Sequence, residues 1–132
     1  LQVYGQGVYG KGIGQFLNDM SMLNVDVVPN PEKEGKMQVL PMMGWFAGMQ
    51  YNFSPKVFIT STYGQSRLYS HDGYPAVASD QYRYGQYLNA TLFWNITSDL
   101  QAGAEYLRGW RTDFNGDTRH ANRVNLAVQY SF

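Results

Sequence analysis

Six segments of this 132-residue sequence alternate apolar and polar residues over at least a dozen positions, and no other feature restricts the possible folds as strongly. Because successive side chains of a β-strand point to opposite faces, each segment predicts a strand with one apolar and one polar face. Strands of soluble sheets usually have about 5–6 residues, whereas a tilted membrane strand needs about 9–11. The lengths therefore favour membrane strands, at residues 2–15, 38–53, 57–69, 82–96, 100–111 and 121–132.

The connections between these segments alternate between short and long. Ser54-Pro55-Lys56 and Thr97-Ser98-Asp99 are typical of tight turns, because proline and serine favour a bend. The other connections, at residues 17–37, 70–81 and 112–120, are longer and polar. Outer-membrane barrels have short periplasmic turns and longer external loops. The pattern predicts an all-β, antiparallel, up-and-down transmembrane barrel with long loops extracellular and the C-terminus periplasmic.

Composition excludes several classes of protein. The absence of cysteine excludes a disulfide scaffold and a thiolate metal site. A formal net charge of zero, without a basic run among aromatic residues, argues against nucleic-acid binding. No stretch approaches the about 20 apolar residues of a spanning helix, so any membrane insertion would be by strands. There is no signal peptide and the chain starts inside a predicted strand, so we expect N-terminal strands to be missing from this sequence.

Several charged and polar residues lie at the alternate positions that form the polar face of the predicted strands. An arginine facing lipid at mid-depth would cost about 2–4 kcal/mol, so we expect these side chains to line a water-filled lumen. The alternative is that the arginines pair with Glu105 or with loop acids and brace the wall. The face on which Arg67 lies is ambiguous, because the apolar residues Val57 and Ile59 lie on the same side of that predicted strand. The predicted pore-lining residues are Arg67, Arg83, Asn89, Glu105, Arg111, Arg123 and Gln129.

Aromatic residues lie near both ends of the predicted strands. Tyr69, Tyr84 and Trp110 are near the long connections, and a second group is near the short turns or the C-terminus: Tyr51, Phe53, Trp94, Tyr130 and Phe132. Amphipathic rings collect where a membrane meets water. The sequence therefore predicts two aromatic girdles.

The last strand ends on a phenylalanine and carries an apolar residue at every second position: Leu126, Val128, Tyr130 and Phe132. This pattern resembles the C-terminal insertion signal of Gram-negative outer-membrane barrels, and implies the barrel-assembly machinery as a partner.

Residues 92–132 resemble the last three strands of DcaP-like porins, in which a Trp-Asn turn, a Gly-x-Glu-Tyr strand, a short acidic loop, an Ala-x-Arg and a final Tyr-Ser-Phe follow in order. The resemblance implies a barrel of about 16 strands, commonly a homotrimer, that passes small and often anionic solutes without chemistry. Six strands are too few to enclose an aqueous channel. Residues 1–132 are therefore expected to be the C-terminal six-strand portion of one outer-membrane barrel domain.

Other candidate sites have weaker patterns. Asp113, Asn115 and Asp117 have the first spacings of a calcium loop, but the later glutamate is missing and Asn-Gly also makes an ordinary turn. His71 and His120 have neither a serine elbow nor an evident carboxylate partner. We expect no enzyme activity, no metal and no cofactor.

Three functions remain open. The first is an outer-membrane porin in contact with lipid and with small hydrophilic solutes, anions among them. The second is a barrel for adhesion or anchoring. The third is a soluble, lipocalin-like barrel around a small apolar ligand, which would place Trp45, Leu92 and Val128 in a closed dry interior. Residues 20–28 fit a constriction inside the lumen, a subunit contact or a cover over a local cluster.

Overall fold

The computed structural model describes residues 1–14, 17, 34–69 and 82–132, and the backbone of residues 27–29. Within these residues the chain forms eight β-strands: β1 (Gln2–Lys11), β2 (Val27–Pro29), β3 (Met37–Val39), β4 (Pro41–Asn52), β5 (Val57–Leu68), β6 (Tyr82–Asn95), β7 (Leu100–Asp113) and β8 (Thr118–Tyr130). No helix in the described part of the chain is long and apolar enough to cross a membrane.

Six of these strands form one antiparallel sheet in the order β1-β4-β5-β6-β7-β8, and β2 pairs with β3 in a separate hairpin. The six-stranded antiparallel fold predicted from the alternation is therefore confirmed. The sheet is not closed: among the described strands, β1 and β8 each pair on one side only. The predicted second strand is divided at Leu40, with β3 before it and β4 after it.

The two short connections are tight turns, as predicted. In the first, the Ser54 hydroxyl accepts hydrogen bonds from the backbone N–H groups of Lys56 and Val57. In the second, the Thr97 hydroxyl accepts them from Asp99 and Leu100. We call the end of the sheet with these turns the lower end, and the opposite end the upper end.

The prediction of a long connection at residues 112–120 is wrong. Thr112 pairs with Thr118, so only residues 114–117 connect β7 to β8. Gly116 adopts a φ of 88°, a conformation that favours glycine, and its N–H donates to the Asp113 carbonyl. The Asn-Gly sequence therefore makes a hairpin turn. The connections at 17–37 and 70–81 lie mostly outside the described residues.

The register of the sheet defines two faces. On one face Ile59, Leu92 and Leu126 lie in a cross-strand row with Tyr51 and Ala104. We call this the apolar face. The opposite face, which we call the polar face, carries the neighbouring row of Gln50, Thr60, Thr91, Glu105 and Asn125.

The apolar face is exposed rather than enclosed. Trp45, Leu92 and Val128 lie on it with 36%, 45% and 74% of their surface accessible. A lipocalin-like barrel requires these residues in a closed dry interior. Within the described residues the structure contradicts that alternative.

Buried hydrophobic residues gather at the upper end of the polar face. Met42 and Leu68 pair across β4 and β5 there, and Leu40 and Tyr82 pack beside them. Leu17 packs against Gly44 and leaves no room for a side chain at that glycine. The start of the connection after β1 therefore lies over the polar face. Residues 20–28, for which three placements are open, lie outside the described side chains.

Candidate functional site

Glu105 is the centre of a hydrogen-bond network on the polar face. Its carboxylate accepts from the Asn125 amide nitrogen at 2.7 Å, from the Asn89 amide nitrogen at 3.3 Å and from the Thr91 hydroxyl at 3.2 Å. Asn125 lies on β8, whereas Asn89 and Thr91 lie on β6. One carboxylate therefore links the two strands on either side of β7.

The network reaches both edges of the sheet. The Asn89 side-chain oxygen accepts from the Thr62 backbone N–H at 3.0 Å, and the Thr62 and Tyr4 hydroxyls are 2.9 Å apart. Tyr4 crosses β4 over Gly48, where a Cβ atom would lie 2.5 Å from its ring. At the other edge the Asn125 side-chain oxygen accepts from Arg123 Nε at 2.8 Å. We call the whole set the polar network: Tyr4, Thr62, Asn89, Thr91, Glu105, Asn125 and Arg123.

Three arginines surround a groove next to this network. Arg111 on β7 pairs directly with Arg119 on β8, and Arg123 lies on the same face of β8. Between them the paired residues Gly109 and Ala121 leave a floor without bulky side chains. The groove has a volume of about 530 Å³. We call it the arginine groove.

The arginine groove has an excess of positive charge. Arg111 Nε donates to the Asp113 carboxylate at 2.8 Å, and its guanidinium lies 5.6 Å from the centre of the Tyr82 ring. Arg119 and Arg123 are exposed and form no ion pair within the described part of the chain. Like charges opposite each other across a strand pair are unfavourable, so an anion in the groove would relieve the repulsion between Arg111 and Arg119.

The structure brings most of the predicted pore-lining residues together. Asn89, Glu105, Arg111, Arg123 and Gln129 all lie on the polar face. Their pore-lining role stays a prediction. Arg111 forms an ion pair with Asp113, which is the kind of contact expected if the arginines brace the wall. Arg123 instead donates to Asn125, which in turn donates to Glu105.

Two predicted pore-lining residues do not join this group. Arg67 pairs with Met43 and Tyr84, so it lies on the apolar face. Arg83 lies in a β-bulge between Tyr82 and Tyr84, which removes it from the regular alternation of β6.

Arg119 was missed by the sequence interpretation, because residues 112–120 were expected to form a loop. Because β8 begins at Thr118, Arg119 belongs to this strand and lies on the same face as Arg123. The alternation of Arg119, Ala121 and Arg123 was the signal that could have identified it.

The apolar face carries aromatic side chains at both ends. At the lower end the rings of Tyr51 and Phe53 are 5.2 Å apart and those of Tyr130 and Phe132 5.9 Å apart, with Trp94 on the same face. We call these five residues the lower rim. The upper rim contains Tyr9, Trp45, Tyr69, Tyr84 and Trp110.

The upper rim is fixed by polar contacts of its rings. Trp45 Nε1 donates to the Gln65 side-chain oxygen at 3.3 Å, and the Tyr69 hydroxyl donates to Met43 Sδ at 3.8 Å.

Trp94 pairs with Ala102, eight residues before Trp110 on β7. At about 3.4 Å per residue and a tilt of about 40°, the rims are about 20 Å apart, near the apolar band of about 25 Å in outer-membrane barrels.

The residues of the predicted insertion signal are exposed at the end of the edge strand β8. Leu126, Val128 and Tyr130 have 80%, 74% and 60% of their surface accessible, and Phe132 is fully exposed. Nothing in the described part of the chain packs over them. Their role in insertion stays a prediction.

The weaker candidate sites take other places. The Asp117 backbone N–H donates to the Asn115 side-chain oxygen within the β7–β8 turn, and Asp113 is engaged by Arg111. His120 is exposed on the apolar face opposite Trp110, and His71 lies outside the described residues. In the described part of the chain no cluster of acidic or histidine side chains could hold a metal ion.

The sequence matches no protein-family model and no curated protein. The fold matches the crystal structure of the outer membrane channel DcaP of Acinetobacter baumannii with a TM-score of 0.78 and 22% identity. The match covers 98% of this chain and 36% of that chain, so the chain spans about a third of the length of the channel. The resemblance to DcaP-like porins that the sequence predicts is thus confirmed at the level of the fold, which is that of a piece of an outer-membrane channel.

Proposed function

We propose that this protein is an outer-membrane porin, in which the six-stranded sheet forms part of a larger barrel of about 16 strands around a water-filled channel. The channel passes small hydrophilic solutes and favours anions. The observation that carries this proposal is the division of one sheet into an exposed apolar face, with an aromatic rim at each end, and a hydrogen-bonded polar face. The similarity in fold to the DcaP channel supports it.

The chemistry of the two faces supports the assignment of the polar face to the lumen. Glu105 and the arginine groove would lose hydration in hydrocarbon, where ionised groups are costly. Val124, Leu126 and Val128 expose 69%, 80% and 74% of their surface, which water disfavours and acyl chains accept. The free energy of the sheet is therefore lowest when the polar face contacts water and the apolar face contacts lipid.

The arginine groove supports the preference for anions. A surface of one charge sign in a water-filled passage between low-dielectric walls raises the local concentration of counter-ions. In the groove three guanidiniums are opposed by the carboxylate of Asp113, while Glu105 is engaged by three donors. Arg119 and Arg123 are the residues that we expect to attract carboxylate or phosphate groups of a solute.

The resemblance to DcaP-like porins also supports three statements about assembly. We propose that the natural protein is a homotrimer, that its C-terminus is periplasmic and that its long loops are extracellular. The barrel-assembly machinery would recognise the exposed end of β8 through Leu126, Val128, Tyr130 and Phe132.

Planar-bilayer recordings of the full-length protein test the function. We expect stable ionic conductance, and a reversal potential under a potassium chloride gradient that shows chloride preference. Replacement of Arg119 and Arg123 by alanine should lower the anion-to-cation permeability ratio about three-fold or more, because two lumenal charges are lost. The matched control, Arg67→Ala with Arg83→Ala, removes two charges outside the groove and should leave the ratio unchanged.

Two outcomes would contradict the proposal at different levels. A correctly inserted barrel without ionic current would exclude a porin and favour adhesion or anchoring. A conducting channel whose selectivity is the same in the Arg119 and Arg123 variant would exclude the anion preference alone.

A further inference from the structure

Three arginines at the upper rim of the apolar face lie against aromatic rings. The Arg67 guanidinium is 5.5 Å from the centre of the Tyr69 ring and 5.4 Å from that of Tyr84. Arg83 lies 5.9 Å from the same Tyr84 ring. Arg108, on β7, lies 5.1 Å from the Trp110 ring. All four distances are within the range of cation–π contacts.

These three arginines have no acidic partner within the described part of the chain. Of the acidic residues in the described part of the chain, Glu105 and Asp113 lie on the polar face, Asp99 lies in a lower turn, Asp117 lies in the β7–β8 turn and Glu34 precedes β3. The described ion pair joins Arg111 to Asp113. The upper rim of the apolar face therefore carries three positive charges that no described carboxylate balances.

Contact with a ring leaves much of a guanidinium available. A guanidinium that stacks on a ring uses its flat face and keeps its N–H groups, which lie in the plane, free to donate. A planar fork of donors binds phosphate oxygens in a bidentate manner. The ring thus holds the cation in position while its terminal N–H groups can bind an anion; Arg108 Nε itself is buried.

The depth of the arginines agrees with a membrane boundary. Arg67 lies one row above Trp45 on the apolar face, and Arg108 lies one row below Trp110. An arginine on the lipid face costs about 2–4 kcal/mol at mid-membrane but about 0–1 kcal/mol near the interface. A long arginine side chain can also extend from such a position towards the headgroups.

We propose that Arg67, Arg83 and Arg108 bind the phosphate groups of anionic lipid headgroups at the upper rim. The inference rests on the proposed function, because it requires the apolar face to lie in a membrane. Arg67 and Arg83 contact the same Tyr84 ring, so their guanidiniums are at most about 11 Å apart, whereas the backbone of Arg108 lies two strands and two rows from that of Arg67, about 17 Å away. One headgroup can therefore contact Arg67 and Arg83 together, while Arg108 binds a neighbouring lipid.

The test uses the full-length protein in a non-ionic detergent. Native mass spectrometry measures retained phosphatidylglycerol and phosphatidylcholine from an equimolar mixture, and thermal unfolding is followed with each lipid or with inorganic phosphate. We expect preferential retention of phosphatidylglycerol, to which each arginine contributes about five-fold. Phosphatidylglycerol should raise Tm, whereas phosphatidylcholine and inorganic phosphate should not.

The decisive variant replaces Arg67, Arg83 and Arg108 by glutamine, and should lose the preference. The matched control replaces Arg111, Arg119 and Arg123 by glutamine, which removes three charges from the polar face, and should keep it. Equal retention of the two lipids by the wild-type protein, or a wild-type preference in the decisive variant, would overturn the proposal.

A measurement on the wild-type protein covers the case in which the triple variant does not fold. Raising the salt concentration screens exposed charges, so the preference for phosphatidylglycerol should decrease. A preference that does not change with salt would also overturn the proposal. A protein that conducts ions but fails these tests would lose only the lipid site, whereas one that stays monodisperse without detergent would contradict the membrane assignment itself.

Discussion

The polar face and the upper rim of the apolar face hold charge in different ways. On the polar face Glu105 accepts three hydrogen bonds and Arg111 pairs with Asp113, so neighbouring side chains satisfy the charges of these three residues. At the upper rim Arg67 and Arg108 lie against aromatic rings instead. The difference indicates that the polar face satisfies part of its charge within the sheet and presents the rest to the arginine groove, whereas, among the described residues, the upper rim holds its cations by aromatic contact alone.

A second difference separates the two ends of the apolar face. Both rims contain aromatic residues, but the lower rim has no arginine, and the cation nearest to it in sequence, Lys56, is in a turn. All six arginines of the sequence lie in the upper half of the sheet: Arg67, Arg83, Arg108, Arg111, Arg119 and Arg123. Aromatic rings alone suit any membrane boundary, whereas the arginines distinguish one boundary from the other.

The largest expected effect comes from a charge placed in the middle of the apolar face. Ala90→Arg should lower the free energy of unfolding by about 2–4 kcal/mol, because Ala90 lies midway between the rows of Trp94 and Trp110 and its replacement would put a guanidinium at mid-depth in lipid. The matched change on the polar face, Thr60→Arg, should cost much less, since that side chain faces water. Urea titration in lipid vesicles measures both, and equal costs would remove the distinction between the faces.

A smaller effect is expected from removal of the central carboxylate. Glu105→Ala should lower the free energy of unfolding by about 1 kcal/mol, because three hydrogen bonds are lost but water replaces part of them. The same variant should raise the anion-to-cation permeability ratio, since it removes a lumenal negative charge. Asp99→Ala, at an exposed turn, is the control. A ratio that falls in the Glu105 variant would contradict the lumenal position of this residue.

The smallest effect concerns the path of Tyr4 across Gly48. A Cβ at position 48 would meet the Tyr4 ring at 2.5 Å, so Gly48→Ala should displace Tyr4 from Thr62. The lost hydrogen bond, about 0.5–1.5 kcal/mol, offsets the about 0.5–1 kcal/mol gained by replacing a strand glycine. The variant should therefore be close to wild type in stability.

Gly103→Ala is the matched comparison on β7. There the added Cβ would meet Phe93 at an ordinary 3.5 Å, so the variant should gain the full about 0.5–1 kcal/mol. The same urea titration measures both glycine variants. Equal stabilities would show that Tyr4 does not cross Gly48 in the folded protein.

Much of the fold could be predicted because alternation is a local property. In the last strand the parity of Leu126 and Val128 assigns each residue to one face without knowledge of its neighbours. The structure keeps this assignment, and it also keeps Asn89, Glu105 and Arg123 on the opposite face. The two tight turns were predictable for the same reason, because serine and threonine act on backbone groups two or three residues away.

The failures occurred where an element boundary or a bulge decided the outcome. Residues 112–120 are polar and contain Asn-Gly, which indicated a loop, but cross-strand pairing extends β7 to Asp113 and begins β8 at Thr118. The bulge next to Arg83 changes the register of β6, which the alternation of that segment did not indicate. Polar residues at the end of a strand are compatible with a long loop and with a tight hairpin turn, so composition could not distinguish these two connections.

The sequence by itself determined which residues form strands and which of them share a face, since both follow from the geometry of a single extended chain. Only the tertiary structure decided which strands lie side by side and in which register. That pairing places Arg119 opposite Arg111, and Arg67 beside Tyr84. The physical reason is that cross-strand contacts depend on hydrogen bonds between segments distant in sequence, and a shift of two residues would preserve every face while changing every neighbour.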